Sequence, residues 1–170
     1  SLYVSQEITD YVHGYGGIVF NDVISNRHAR NSVEAGDDGL VAVAAGAGGH
    51  TGNVSPFALV SEIREWWHGP LALSGAIANG RSILAALATG ADFAYIGSPF
   101  LATPEANTVD DYKQMIVDGS SRDIITTDAI SGVPANYLVG SIIRCGLDPK
   151  NLAPRSGNPV DVSESGDSYK

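Results

Sequence analysis

Short apolar runs alternate with longer stretches of helical spacing along this chain. Five runs are apolar without strict alternation. They are GIVFNDVI (Gly17–Ile24), GLVAVAA (Gly39–Ala45), PLALSG (Pro70–Gly75), DFAYIG (Asp92–Gly97) and DIITT (Asp123–Thr127). A strand covered on both faces has this pattern, because neither direction of its side chains meets water. Between the runs, SNRHARNSVEAG opens on a capping serine and stops at Gly36. SPFALVSEIREWWHG places Ser55 as cap, Pro56 at the first helical position and Gly69 past the end, with Leu59, Val60, Ile63 and Trp67 at helical spacing. NGRSILAALATG closes on Gly90, and TVDDYKQMIVDG has Thr108 as its cap and Gly119 at its end. PANYLVGSIIRCG reads as a further helix after the last strand.

Strand and helix therefore alternate, with strands opening near positions 17, 39, 70, 92 and 123. Repeated βα units of this kind build a parallel sheet, here an α/β fold with about five strands. Residues 1–152 form one domain in this reading. The remainder, 153–170, is a polar tail or long loop rich in proline, glycine and serine. A complete eight-unit βα barrel takes roughly 250 residues. The pattern thus fits either a small open sheet or part of a barrel whose remainder lies elsewhere.

Composition narrows the function. The 170 residues carry a net charge of −9, and no cluster of Lys and Arg occurs, which speaks against a nucleic-acid surface. Hydrophobic residues make up 44 % and charged residues 17 %, enough to build a core and too few charges for a disordered chain. No apolar run reaches the length of a membrane span, and SLYVSQEITDYVHGYGG lacks the basic-then-apolar build of a secretory signal. A single cysteine, Cys145, excludes an internal disulfide and fits a reducing, cytoplasmic setting. It falls late in an expected helix and reads as core.

Ligands of parallel α/β folds bind at the carboxyl ends of the strands. Three such ends stand out. In AAGAGGHTGNVSPF, Gly46, Gly48 and Gly49 follow the second run and present His50. A histidine there can act as base, acid or hydrogen-bond donor near neutral pH, or can simply pin its loop by bonding a carbonyl. In SGAIANGRS a strand stops at Gly75 and a helix begins near Gly80, where free backbone N–H groups favour an anion. IGSPF supplies another glycine turn at the next strand end. Two such turns on consecutive strands commonly hold one phosphate between them. His13 and His68 near helix ends, His28 in a first turn, the Trp66–Trp67 pair, and Asp110 with Asp111 in a first turn all read as structural. No cysteine–histidine cluster has zinc spacing, and no P-loop or dinucleotide fingerprint follows a strand.

These residues resemble a known family. AGAGGHTG, LALSGAIANGRSILAALATGADFAYIGSPFLATPEA, YKQMIVDGSSRDIITT and SGVPANYL look like the nitronate monooxygenases, formerly 2-nitropropane dioxygenases. The resemblance runs in order over roughly Gly16 to Leu152. It implies a TIM (β/α)8 barrel, an FMN cofactor, and oxidation of alkyl nitronates by oxygen to a carbonyl compound and nitrite. It further implies that His50 is the active-site histidine beside the flavin. Gly48 and Gly49 bring the histidine loop close to the isoalloxazine ring. Gly75, Ala76, Asn79 and Gly80 match the first phosphate loop, and Gly97 and Ser98 the second. The flavin carries the redox chemistry, and the protein orients it and the substrate.

Two departures are visible. The family usually has adjacent glycines where this chain has Gly75-Ala76, and Thr-Arg where it has Ser98-Pro99. The family's first strands and its late glycine-glutamine loop have no counterpart, so the chain resembles the later part of the barrel, from about the fourth or fifth strand onward. An FMN-dependent enoyl-acyl-carrier-protein reductase shares the Gly-Gly-His loop and the phosphate loops, and is the nearest alternative. A non-catalytic half-barrel that binds phosphate or FMN, or self-associates, is the alternative of a different class. A half-barrel has open sheet edges and an uncovered apolar face, which predicts a homo-oligomer or completion of the barrel by another chain.

Overall fold

The computed structural model describes residues 5–153. Apart from Ala153, the expected polar tail lies outside the described residues. Helix α1 (Gln6–His13) leads into strand β1 (Phe20–Val23), helix α2 (Asn26–Glu34) and strand β2 (Gly39–Val43). A two-residue strand β3 (Gly49–His50) precedes helix α3 (Pro56–Arg64), strand β4 (Leu71–Ser74), helix α4 (Gly80–Ala88) and strand β5 (Phe93–Ala94). A 3-10 turn at Ser98–Ala102 and helix α5 (Asp110–Asp118) follow, then strands β6 (Ile124–Thr127) and β7 (Ala135–Leu138) and helix α6 (Val139–Arg144).

Strands β1, β2, β4 and β5 form a parallel sheet in that order, joined by α2, α3 and α4. The α/β class and the repeated βα unit hold. The number of parallel strands does not: there are four in this sheet, not about five. The fifth apolar run, β6, pairs antiparallel with β7, and β7 pairs antiparallel with β3. Only residues 128–134 separate β6 from β7. A parallel return needs a crossover of a dozen or more residues, so this short link forces a hairpin. The helix expected from Pro134 is correspondingly shortened. Ala135–Leu138 is strand, matched against the β-branched Ile124–Thr127, and only Val139–Arg144 is helical.

The helices cover one face of the parallel sheet. Val23, Leu40, Ala42, Leu71 and Leu73 pack there with Ala29 of α2, Leu59, Val60 and Ile63 of α3, and Ala86 of α4. Each fully buried Leu or Ile in this layer contributes about 1.5–3 kcal/mol through water exclusion. Trp66 and Trp67 pack against the same cluster, and Trp66 Nε1 donates to Asn26 Oδ1 at 2.7 Å, so the tryptophan pair is structural as read. On the opposite face Val41, Val43 and Ala72 form a smaller cluster with Ala47. That face continues outward to Phe20, Ile24, Phe93 and Tyr95, which remain 38 %, 42 %, 54 % and 56 % exposed.

The ends of the sheet differ in character. At the amino end of β2, the buried carboxylate of Asp37 accepts hydrogen bonds from Thr9 Oγ1 (2.8 Å), Asn21 Nδ2 (3.0 Å) and Ser32 Oγ (2.5 Å). It ties α1 and α2 to the first two strands, since a buried carboxylate must be satisfied. The carboxyl ends carry the open loops. Cys145, expected in the core, is exposed just past α6, because the shortened helix ends before it is covered. Thr108, expected as the cap of α5, stands one residue too early: Val109 occupies the cap and makes no side-chain cap bond.

Candidate active site

The histidine loop leaves β2 and folds back over the strand ends. Ala44 N–H donates to Ser74 O at 2.9 Å, which holds the loop's root to β4. Ala47 N–H then donates to Ala44 O at 3.3 Å and tightens the turn. The loop next runs through β3, whose Gly49 and His50 lie opposite Asn136 and Ala135 of β7. Thr51 N–H donates to Pro134 O at 3.1 Å, and Thr51 Oγ1 reaches Ala44 O at 3.2 Å. The loop is thus fixed on both sides of His50. The imidazole itself is exposed and makes no hydrogen bond among the described residues. Of the two uses open to His50 in the sequence, pinning its own loop through a carbonyl is not what the structure contains among the described residues. The loop is pinned by its neighbours, and the ring faces solvent.

Both glycine turns meet this loop. Ala76 N–H donates to Gly46 O at 2.9 Å, and a β-carbon at Gly46 would stand 3.0 Å from Ala76 Cβ. Ala76 has φ +52°, the left-handed region, and among the described residues no other non-glycine has positive φ. The backbone therefore keeps a glycine-like turn at the position where the family usually has a second glycine. From the other side, Ser98 Oγ packs so closely on Gly48 that a β-carbon there would collide with it. His50, Gly48, Gly49, Gly75, Ala76 and Ser98 are in this way parts of one connected surface at the carboxyl end of the parallel strands.

The helix start near Gly80 is more fully capped than its sequence implies. Asn79 Oδ1 accepts from Arg81 N–H (3.0 Å) and Ser82 N–H (3.1 Å), while Ser82 Oγ accepts from Ala78 N–H (3.1 Å) and Asn79 N–H (3.0 Å). This reciprocal capping box uses donors that the sequence reading left for an anion. The N–H groups of Gly80 and Ser98 and the Ser98 hydroxyl have no hydrogen-bond partner among the described residues. Pro99, at the start of the 3-10 turn, contributes no N–H. A phosphate between the turns would accordingly rest on Gly80 and Ser98, with Asn79 acting through the cap rather than by contact.

The structure also identifies a residue that the sequence did not single out. Asn136, on β7, donates from Nδ2 to Ala47 O at 2.7 Å and accepts from Thr126 Oγ1 at 2.5 Å through its Oδ1. Its sequence neighbourhood reads as helix, so no local signal brings it near the histidine loop.

Other sequence readings keep their structural character. His13 Nε2 bonds Asp38 Oδ2 at 2.9 Å, and Asp111 pairs with Arg144 at 2.6 Å. His28 lies in the first turn of α2, where partial burial lowers its pKa. Among the described residues no group of His, Cys, Asp and Glu could hold a metal ion.

Comparison with known proteins places this geometry in context. The family model described as nitronate monooxygenase matches residues 5–160. The nitronate monooxygenase of Paraburkholderia phytofirmans is 33 % identical over 129 residues, covering 71 % of this chain and 35 % of that protein. Among solved structures, a nitroalkane oxidase from Streptomyces ansochromogenes superposes with a TM-score of 0.74 at 29 % identity, over 82 % of this chain and 44 % of that one. FabK from Thermotoga maritima superposes with a TM-score of 0.72 at 30 % identity, over 89 % of this chain and 56 % of that one. The chain spans about a third of the length of the curated relative and about half of each solved chain.

Proposed function

This chain belongs to the nitronate monooxygenase family, and on that premise we propose that it forms the histidine-and-phosphate side of an FMN-dependent oxidoreductase acting on alkyl nitronates. The carrying observation is the convergence of both glycine turns on the histidine loop, Ala76 through Gly46 and Ser98 through Gly48. A single flat cofactor with a phosphate tail explains why three strand ends meet there, because its two ends need different walls. The fit is consistent with the space available. A β-carbon at Gly49, Gly80 or Gly97 would meet nothing within 4 Å, so this surface is open above all three.

Bound FMN supplies the electron-transfer chemistry, with oxygen as the terminal acceptor and a carbonyl compound and nitrite as products. The protein's residues do the rest. Gly80 and Ser98 would donate N–H groups to the phosphate, and the Ser98 hydroxyl would add a third donor. Gly48 and Gly49 would keep the loop backbone thin beside the ring. His50, with an exposed imidazole beside the open surface, would orient the anionic nitronate or exchange a proton with it. His50→Ala is expected to abolish nitronate-dependent nitrite release in the completed enzyme while FMN stays bound; unchanged turnover would refute the role. Gly97→Val tests the phosphate turn separately. The open space at Gly97 lets the chain accept a larger side chain, so the expected result is an intact fold with FMN affinity at least tenfold weaker.

A second reading is an FMN-dependent enoyl-acyl-carrier-protein reductase, favoured by the likeness to FabK. Consumption of NAD(P)H with an enoyl thioester, with no nitrite formed from a nitronate, would select it. In either reading the partners are a small-molecule substrate and a second copy or another chain that closes the barrel. Among the described residues no helix is long and apolar enough to cross a membrane. The free thiol of Cys145 is exposed, which fits a reducing, cytoplasmic setting.

A further inference from the structure

The histidine loop is held from outside the parallel sheet by the antiparallel ribbon β6–β7. The contact is specific in its donor and acceptor logic. Ala47 O can only accept, so it requires the amide nitrogen of Asn136, which donates at 2.7 Å. That choice leaves Asn136 Oδ1 facing Thr126, whose hydroxyl donates to it at 2.5 Å. Thr126 and Asn136 are themselves opposite each other in the β6–β7 register, and Asn136 lies opposite Gly49 in the β7–β3 register. Main-chain pairing and side-chain bonding therefore converge on residues 47 to 50. The Ala47 side is buried, where a missing partner would be costly, whereas the His50 ring is exposed and makes no hydrogen bond among the described residues.

We propose that Asn136, oriented by Thr126, is a positioning residue for His50: the Thr126–Asn136–Ala47 chain of hydrogen bonds sets where the imidazole stands over the site. The inference rests on the reading of His50 as the reactive side chain, and it makes the ribbon a part of the active site. A small hairpin so employed also explains its pairing with a strand of only two residues, Gly49–His50, too short to add much to the core.

Substitution at both members of the chain tests this in the full-length protein by nuclear magnetic resonance. The readouts are hydrogen exchange at the Thr51 amide, bonded to Pro134 O, and the ring resonances of His50. Thr126→Val removes the hydroxyl donor, and Asn136→Ala removes the whole link. Each is expected to speed Thr51 exchange roughly five- to tenfold, the yield of losing one ordinary hydrogen bond, and to shift the His50 resonances while those of His13 and His68 stay in place. Thr126→Ser keeps the donor and is expected to match the wild type. Asn136→Asp gives a signature that mere loss of packing would not. As a carboxylate it opposes Ala47 O, but once protonated it can donate, so its Thr51 exchange relative to wild type should return toward unity as the pH falls from neutral through the carboxylate range. Unchanged Thr51 protection and His50 resonances in Thr126→Val and Asn136→Asp would overturn the proposal. If Asn136→Ala fails to fold, the Thr126→Val and Thr126→Ser pair decides alone. If the resonances move as expected but His50→Ala leaves nitronate turnover intact, the positioning stands and the functional reading falls.

Discussion

A β-carbon added at Gly48 would run into Ser98 Oγ, so this contact depends on the absence of a side chain. Gly48→Ala is expected to push Ser98 away, lower the melting temperature by a few degrees and weaken FMN binding. Removing the obstacle with Ser98→Ala in the same chain should restore most of the melting temperature but not the affinity, since the hydroxyl is gone. Calorimetry and flavin titration of the three variants check both halves. Ala76 offers the converse case. A left-handed L-residue costs about 1–2 kcal/mol, and glycine's extra freedom in the unfolded chain gives back part of any gain. Ala76→Gly should therefore stabilise the chain by roughly 0.5–1 kcal/mol, and a loss of stability in denaturant melts would contradict the strained turn. Much of this scale was legible in the sequence. His50 and the glycines that meet its loop stand out because three glycines and a histidine follow directly on an apolar strand run. Asn136 was not legible, because its role arises from a hydrogen bond to Ala47 across a sequence separation of 89 residues.

At the scale of elements, β1, β2, β4 and β5 follow from apolar runs punctuated by glycine, and α4 from its closing glycine. The β6–β7 ribbon did not follow. An apolar run of four or five residues has no direction, and parallel or antiparallel pairing is decided by the link after it. Single elements are also joined by ion pairs whose pH dependence can be worked out. Asp38 accepts a hydrogen bond from His13 and another from Val19 N–H, and these hold its carboxyl below the ordinary carboxylate value. Its pKa is depressed on folding, so the stabilisation is present above the unfolded pKa and disappears as the pH falls through the folded one. Asp92 behaves alike: burial raises its carboxyl, but Leu71 N–H and the Arg64 guanidinium outweigh that and lower it. Thermal melts from neutral to acid pH should show stability lost in the carboxylate range, with a shallower loss in Asp38→Asn. An acid limb unaltered by that substitution would contradict the link between α1 and the sheet.

At the scale of the whole molecule, the sheet is finished on one face and open on the other. The helix-covered face holds a continuous core, while Phe20, Ile24, Phe93 and Tyr95 on the far side remain substantially exposed. Exposed aromatic residues along a sheet whose edge strands, β1 and β5, have no outer partner among the described residues favour association. Light scattering on the purified chain is expected to give a dimer or larger assembly, and a monodisperse monomer across concentrations would contradict closure by a second copy. The sequence carried this feature only as a shortfall in the number of βα units; which face stays bare depends on the side the helices take.

The central claim is that this chain carries the histidine and phosphate walls of a flavin site. The visible absorption spectrum of the purified full chain, titrated with FMN and then given a nitronate without oxygen, tests it most directly. The account predicts a perturbed flavin band that bleaches on nitronate addition, and a His50→Ala variant that keeps the band but does not bleach. A spectrum indistinguishable from free FMN at every protein concentration would contradict it.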